Sequence, residues 1–300
     1  VDNSHRPTEP IGARPESEPL RQPVGVGSYS AYGAGSPSWS PYRPPAPPPR
    51  RRFTGLALIL GTLLFVMAGC GALGIYGLLD RGRPAIDIPT DVPPAPGAAL
   101  PAIDVDAPGR TADQLADWAA GIAATTDIPV TALEAYGYAA AVFAAREPAC
   151  GIAWTTLAGI GSVESDHGRH NGASIESNGD VVPVIRGLPL DGNGGRAEIR
   201  DTDGGALDGD AELDRAMGPM QFIPETWQTW GVDANGDGVA SPDNIDDAAL
   251  SAARYLCARG GTLTTPEGWS TALYAYNLSR PYQMEVRDRA AAYALGIEPR

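Results

Sequence analysis

The chain has 300 residues, 43% hydrophobic and 19% charged, which is enough for one good-sized folded domain with accessory segments. Acidic residues outnumber basic ones 36 to 22, and a net charge of −14 argues against a nucleic-acid binder, which needs a basic face to displace phosphate counterions. All 22 basic residues are arginine, so the sequence holds no P-loop lysine, Schiff-base lysine or S-x-x-K nucleophile site.

Residues 1–52 contain 12 of the 29 prolines and no sustained apolar period, and are expected to be a disordered cytoplasmic arm. Residues 53–79 carry no charge over 27 positions, long enough for a helix to cross a membrane. Arg50, Arg51 and Arg52 precede that run, which predicts a single-pass anchor with the remainder of the chain outside the cytoplasm. The alternative is a secreted or lipid-anchored protein, since Met67-Ala-Gly-Cys70 faintly resembles a lipoprotein cleavage site. Residues 80–110 hold seven prolines and read as a stiff extracytoplasmic linker. The folded domain is then expected over 111–300, where 27 acidic side chains face 12 basic ones.

Within that domain the apolar period is mostly helical. Helices are expected over 112–124, 130–145 with Thr131 near its cap, 152–166 closed by Gly168, 224–230, 246–259, 268–278 and 281–294. Residues 171–214 are rich in Gly and Asp around one β-like run, 180–185, and read as an inserted hairpin with loops. Cys150 and Cys257, the two cysteines outside the apolar segment, are expected to form a disulfide in an oxidising compartment.

Glu164 ends the most apolar helix in the chain. Burial disfavours a carboxylate and raises its pKa toward the working pH, which suits a general acid for a glycosidic oxygen. Its surroundings, Glu164-Ser-Asp-His-Gly-Arg-His170, resemble the E-[ST]-x-x-G-R motif of lytic transglycosylases. Ala216-Met-Gly-Pro-Met-Gln-Phe-Ile-Pro224 and Ala275-Tyr-Asn277 resemble that family's A-M-G-x-x-Q-F-M-P and A-Y-N motifs, in the family's order. The chain from about residue 130 to 295 is thus similar to the MltB-type lytic murein transglycosylases, here in a membrane-anchored form. Its composition suggests a high-GC Gram-positive bacterium.

The resemblance implies a mainly α, lysozyme-like α+β domain with a small inserted hairpin and an EF-hand-like loop. It also implies a substrate, peptidoglycan glycan strands. Glu164 matches the catalytic acid/base, Gln221 and Phe222 match groove residues beside it, and Tyr276 and Asn277 match the pair facing the cleaved bond. Tyr136 and Tyr138 are candidates for a groove tyrosine of the family. A second carboxylate, as hydrolysing glycosidases require, would most obviously come from Asp166, although its position at the helix end points it elsewhere. The implied reaction cleaves the MurNAc–GlcNAc β-1,4 bond and leaves a 1,6-anhydroMurNAc end. Its alternatives are a hydrolytic muramidase on the same fold and a non-catalytic peptidoglycan-binding module.

Asp233-Ala-Asn-Gly-Asp-Gly238 opens like an EF-hand loop, with oxygen donors at positions 1, 3 and 5 and Gly at 6. The family's longer loop implies Ca2+ ligands from Asp233, Asn235, Asp237, the Val239 carbonyl and Asp247, in a structural role. Asp201, Asp203, Asp208 and Asp210 have metal-like spacing that fits a solvated acidic turn equally well. Trp227 and Trp230 read as core more readily than as a sugar platform.

Overall fold

Residue propensities and capping explain most of the architecture seen in the computed structural model, which describes residues 88–194 and 196–299. The arm and the apolar run at 53–79 lie outside the described residues; among those described, no helix is long and apolar enough to cross a membrane. After a 3₁₀ turn at Thr111–Leu115 come helices α1 (Ala116–Thr126), α2 (Val130–Arg146), α3 (Trp154–Ser165), α4 (Pro224–Trp230), α5 (Ile245–Gly260), α6 (Pro266–Tyr276) and α7 (Arg280–Ala294). Proline opens α4, α6 and α7 in the first turn, where its missing N–H costs nothing. Asn244, Thr265 and Ser279 cap α5, α6 and α7 through side-chain oxygens that accept first-turn amides. Thr131 caps nothing, because Pro129 occupies the N-cap of α2 and places Thr131 inside the first turn.

Helices α2 and α3 form the centre. From Ala132 to Phe143 nearly every side chain of α2 is buried, and α3 is buried from Trp154 to Ser162. Small residues let neighbouring backbones approach: a Cβ at Gly159 of α3 would stand 2.7 Å from the Val286 carbonyl oxygen of α7. Trp118 meets Trp154 edge-on with ring centroids 5.4 Å apart, joining α1 to α3. The Cys150–Cys257 disulfide is present and ties the α2–α3 connection to the end of α5, closing a separation of 107 residues.

The insert contributes a two-stranded antiparallel sheet, β1 (Ser174–Ile175) and β2 (Val181–Val182), with Ser174 opposite Val182. The strand stops before the full 180–185 run because Pro183 has no N–H to continue the ladder. The rest of the insert is held by Asx turns and isolated bridges such as Arg186–Met217 and Arg200–Leu213. A mainly helical body with this small sheet agrees with the expected mainly α, α+β class.

The expected linker requires a correction. From Pro89 the Pro-rich segment is part of the folded unit, not a spacer in front of it. Trp154 Nε1 donates to the Ala98 carbonyl at 3.0 Å and Thr155 Oγ1 to the Ala95 carbonyl at 3.0 Å, while Val92, Leu100, Ile103 and Val105 pack on the core. Polyproline-like backbone has free carbonyls and no internal bonds, so it can strap a surface as readily as span solvent. Arg110 locks the end of this strap: its guanidinium reaches Asp246 at 2.7 Å, Glu134 at 2.5 Å and Asp113 at 2.7 Å.

Candidate active site

The C-terminal end of α3 organises the site. The helix stops at Ser165, before the glycine expected to end it, and Asp166 and His167 both take left-handed backbone (φ 51° and 56°) ahead of Gly168. Two non-glycine residues in that region cost strain. The turn is held by its neighbours: Ser165 Oγ donates to the Pro219 carbonyl at 2.6 Å and accepts from Gly168 N at 2.8 Å. His167 is fully buried between two tyrosines, its Nδ1 3.2 Å from Tyr136 Oη and its Nε2 2.9 Å from Tyr293 Oη. Burial, reinforced by the Arg169 and Arg289 charges, pushes its pKa down to about 3, so the ring is neutral. Asp166 is exposed and pairs with Arg169, which also reaches Asp127 and braces the turn from outside.

Glu164, one residue before that turn, keeps part of its surface open. Its Oε1 accepts a hydrogen bond from Tyr282 Oη of α7 at 2.7 Å. Desolvation dominates and raises the carboxyl pKa to about 8; the Tyr282 bond opposes the rise and the nearby charge of Glu285 adds to it. The raised pKa brings the acid form of this side chain within reach of neutral pH. Tyr282 is itself buried, and burial beside Glu164 holds its phenol well above the usual tyrosine range.

The turn at 216–222 closes one side. Met217 and Phe222 exchange backbone bonds, and Gln221 takes φ 51° with its Nε2 donating to the Gly218 carbonyl at 2.8 Å. Ser165 fastens this turn to α3, and Tyr276 Oη fastens it to α6 by donating to the Met220 carbonyl at 2.7 Å. Phe222 is 3% exposed and meets Trp227 and Tyr276 edge-on, so it supports the turn from beneath and does not line a surface. Tyr276 is likewise buried.

Asn277, beyond the end of α6, is 4% exposed; its Oδ1 accepts from Ser279 N, while its Nδ2 has no partner. A buried amide donor left unpaired costs about 1–3 kcal/mol, which a ligand acceptor would recover. Of the two tyrosines considered for the groove, Tyr138 donates to the Val105 carbonyl of the strap, away from Glu164, and Tyr136 is wholly buried against His167.

Two residues at the site escaped the sequence reading, Tyr282 and Glu285. Both lie on α7, one turn apart; Tyr282 bonds Glu164, 118 residues away in sequence, and Glu285 adds a nearby charge. A phenol and a carboxylate three apart near the start of a helix were a visible signal, but nothing local said which helix they would face.

The EF-hand-like loop sits behind the 216–222 turn, where a Cβ at Gly218 would collide with the Pro242 carbonyl. Asp233 accepts from the amides of Gly236 and Gly238, and Asp237 from that of Val239. Asp247 is fully buried and accepts from the amides of Ala234, Asn235 and Ser241. Asn244 serves as the cap of α5. Among the described residues, no three acidic, His or Cys side chains converge as a metal-holding cluster. The donor types are still those a hard divalent cation takes: the carboxylates and the Asn235 amide keep second lone pairs, and Val239 is exposed. Among the described residues Asp247 has no cationic partner, and burial, with some repulsion from Asp233, raises its pKa to about 6.

Trp227 is core, and Trp230 is flanked by the guanidiniums of Arg254 and Arg259 at 5.9 and 5.8 Å from its ring centre. In the insert, Asp201, Asp203 and Asp210 accept backbone amides within their own turns, and Asp208 caps the amides of Asp210 and Arg215.

Residues 212–270 match the family model described as "Transglycosylase SLT domain". The match spans the 216–222 turn and the acidic loop and supports, at family level, a peptidoglycan transglycosylase of the lysozyme-like superfamily. No significant match arose among curated proteins or solved structures.

Proposed function

We propose that this domain is a peptidoglycan lytic transglycosylase that cleaves the MurNAc–GlcNAc β-1,4 bond, with Glu164 as its acid/base. The observation that carries the reading is a largely desolvated carboxyl with a raised pKa, open on one side and held by Tyr282, beside the turn that matches the SLT family. Protonated Glu164 donates to the glycosidic oxygen as the C1–O bond breaks. The resulting carboxylate takes the proton of the muramoyl 6-hydroxyl, and that oxygen bonds to C1 to form the 1,6-anhydro ring. One proton leaves Glu164 and one returns, so Glu164 ends in its starting form and no water is consumed.

Gln221, Tyr276 and Asn277 assist in different ways. The free Asn277 Nδ2 donates to a substrate oxygen, Tyr276 fixes the Met220 carbonyl and so the turn, and Gln221 borders the space in front of it. Asp166 is not a partner in this chemistry, being exposed and held by Arg169.

Digestion of purified peptidoglycan with the full chain, beside Glu164→Gln, tests the reading by mass spectrometry. Products one water lighter than hydrolytic ones, lost with the variant, support it. Reducing ends would assign a hydrolytic muramidase, and binding without cleavage a non-catalytic module.

We further propose that Asp233, Asn235, Asp237, the Val239 carbonyl and Asp247 hold a structural Ca2+. The ion would neutralise the buried Asp247 and stiffen the loop behind the turn. Calcium at a hundred times its Kd should add about 2.7 kcal/mol to stability. Asp247→Asn should abolish the gain, and an unchanged melting temperature in EDTA would overturn the assignment. The apolar run at 53–79 is proposed as a membrane anchor that presents the domain to the wall outside the cytoplasm.

A further inference from the structure

Acidic side chains outnumber basic ones 27 to 12 over residues 111–300, yet one groove is lined by two arginines and no carboxylate. It is a cavity of about 420 Å3 between the strap, α6 and α7. Val92 of the strap, the buried Trp269 and the half-exposed Tyr274 and Met284 supply its apolar lining. Arg280, Gln283 and Arg287 supply the polar lining. Arg287 Nε donates to the adjacent Asp288 at 2.8 Å, a residue outside the groove. Arg280 is exposed and enters no ion pair among the described residues. At about 100° per residue, Arg280, Gln283, Met284 and Arg287 share the side of α7 opposite Tyr282. The groove is therefore separate from the Glu164 carboxyl, which Tyr282 meets on the other side of the same helix.

We propose that this groove binds the carboxylate-bearing peptide stem of the glycan strand, with Arg280 and Arg287 holding its carboxylates and the apolar lining its alanine methyls. The inference rests on the peptidoglycan reading given above. Charge is the first argument: a strand with anionic stems meets repulsion over most of this acidic domain and attraction here, where guanidiniums can pair carboxylates bidentately. Spacing is the second. The two arginines are seven residues apart, which sets them about 10.5 Å apart along α7. Carboxylates three residues apart on an extended peptide, at about 3.3–3.6 Å per residue, match that separation. Reach is the third. Arg280 follows Asn277 by three residues, so their Cα atoms lie within about 11 Å of each other. An extended stem of four residues spans about 13–14 Å. A muramoyl sugar beside Asn277 can therefore lay its stem over the first turn of α7 and into the groove.

The test titrates the full chain by calorimetry with a synthetic tetrapeptide stem, free of sugar, and with the same peptide amidated at every carboxylate. The acid form should bind at least about tenfold more tightly than the amidated one. Arg280→Gln combined with Arg287→Gln should weaken binding of the acid form by a similar factor, and the paired lysine substitutions should recover part of it. An unchanged melting temperature in the glutamine variant separates lost binding from a lost fold. On stem-bearing strands that variant should raise KM by about tenfold. Equal binding of the acid and amidated peptides, or equal binding by wild type and the glutamine variant, overturns the proposal. So does an affinity confined to vesicles of anionic phospholipid, which would assign the groove to the membrane surface. Stem binding without glycan cleavage would uphold the groove and refute the transglycosylase reading; cleavage without stem binding would refute the groove alone.

Discussion

Replacing Glu164 by glutamine should stabilise the domain while abolishing cleavage, and the stabilisation should depend on pH in a defined window. The folded-state pKa of about 8 lies above the ordinary value of 4.5. An unfolded chain therefore ionises Glu164 first, and wild type loses stability as pH rises from 4.5 toward 8. Each pH unit of separation is worth about 1.4 kcal/mol, which sets an upper bound of about 4 kcal/mol at pH 8. Part of the carboxyl reaches solvent, so half of that, about 2 kcal/mol, is the working figure. For a domain of this size it corresponds to roughly 4–8 °C in Tm at pH 8, fading to almost nothing at pH 4. Calorimetry of wild type and variant across that range is the assay. An equal difference at pH 4 and pH 8, or a less stable variant at pH 8, would refute the argument that burial holds the acid protonated.

Three further perturbations probe the surroundings. Tyr282→Phe removes the bond that favours ionised Glu164, so the alkaline limb of the rate profile should move upward while kcat falls about tenfold to a hundredfold from lost aim. Arg110→Met leaves buried Glu134 and Asp246 without their cation and should cost about 3–5 kcal/mol in denaturant unfolding. Gly161→Ala drives a methyl into Tyr136 Oη, which His167 holds in place, and should lower stability by about 1–3 kcal/mol, read as a drop in Tm.

Most helices were readable from the sequence because their signals are local. The 3.6-residue apolar period, a proline in the first turn and a capping Asn, Thr or Ser place α4 to α7 within about two residues of where they occur. The same holds for the Cys150–Cys257 pairing, once only two cysteines remained outside the apolar segment. Glu164 stood out because an acid ending an apolar helix is costly unless something uses it, and the three motifs around it are short and ordered.

What the tertiary structure decided involves partners distant in sequence. Periodicity could not show that the prolines after 88 lie on α3, since free carbonyls look alike whether water or Trp154 bonds them. Nor could it show that Phe222 turns inward or that α3 ends at Ser165, because the left-handed turn is held by Pro219, Tyr136 and Tyr293. Above all, the raised pKa of Glu164 comes chiefly from burial, which α7 helps complete by crossing α3 closely enough for Tyr282 to reach the carboxyl. The sequence by itself determined that a carboxyl would sit at the end of an apolar helix; only the packing of two helices more than a hundred residues apart decided that it would be an acid, because a pKa is set by what surrounds a group in space.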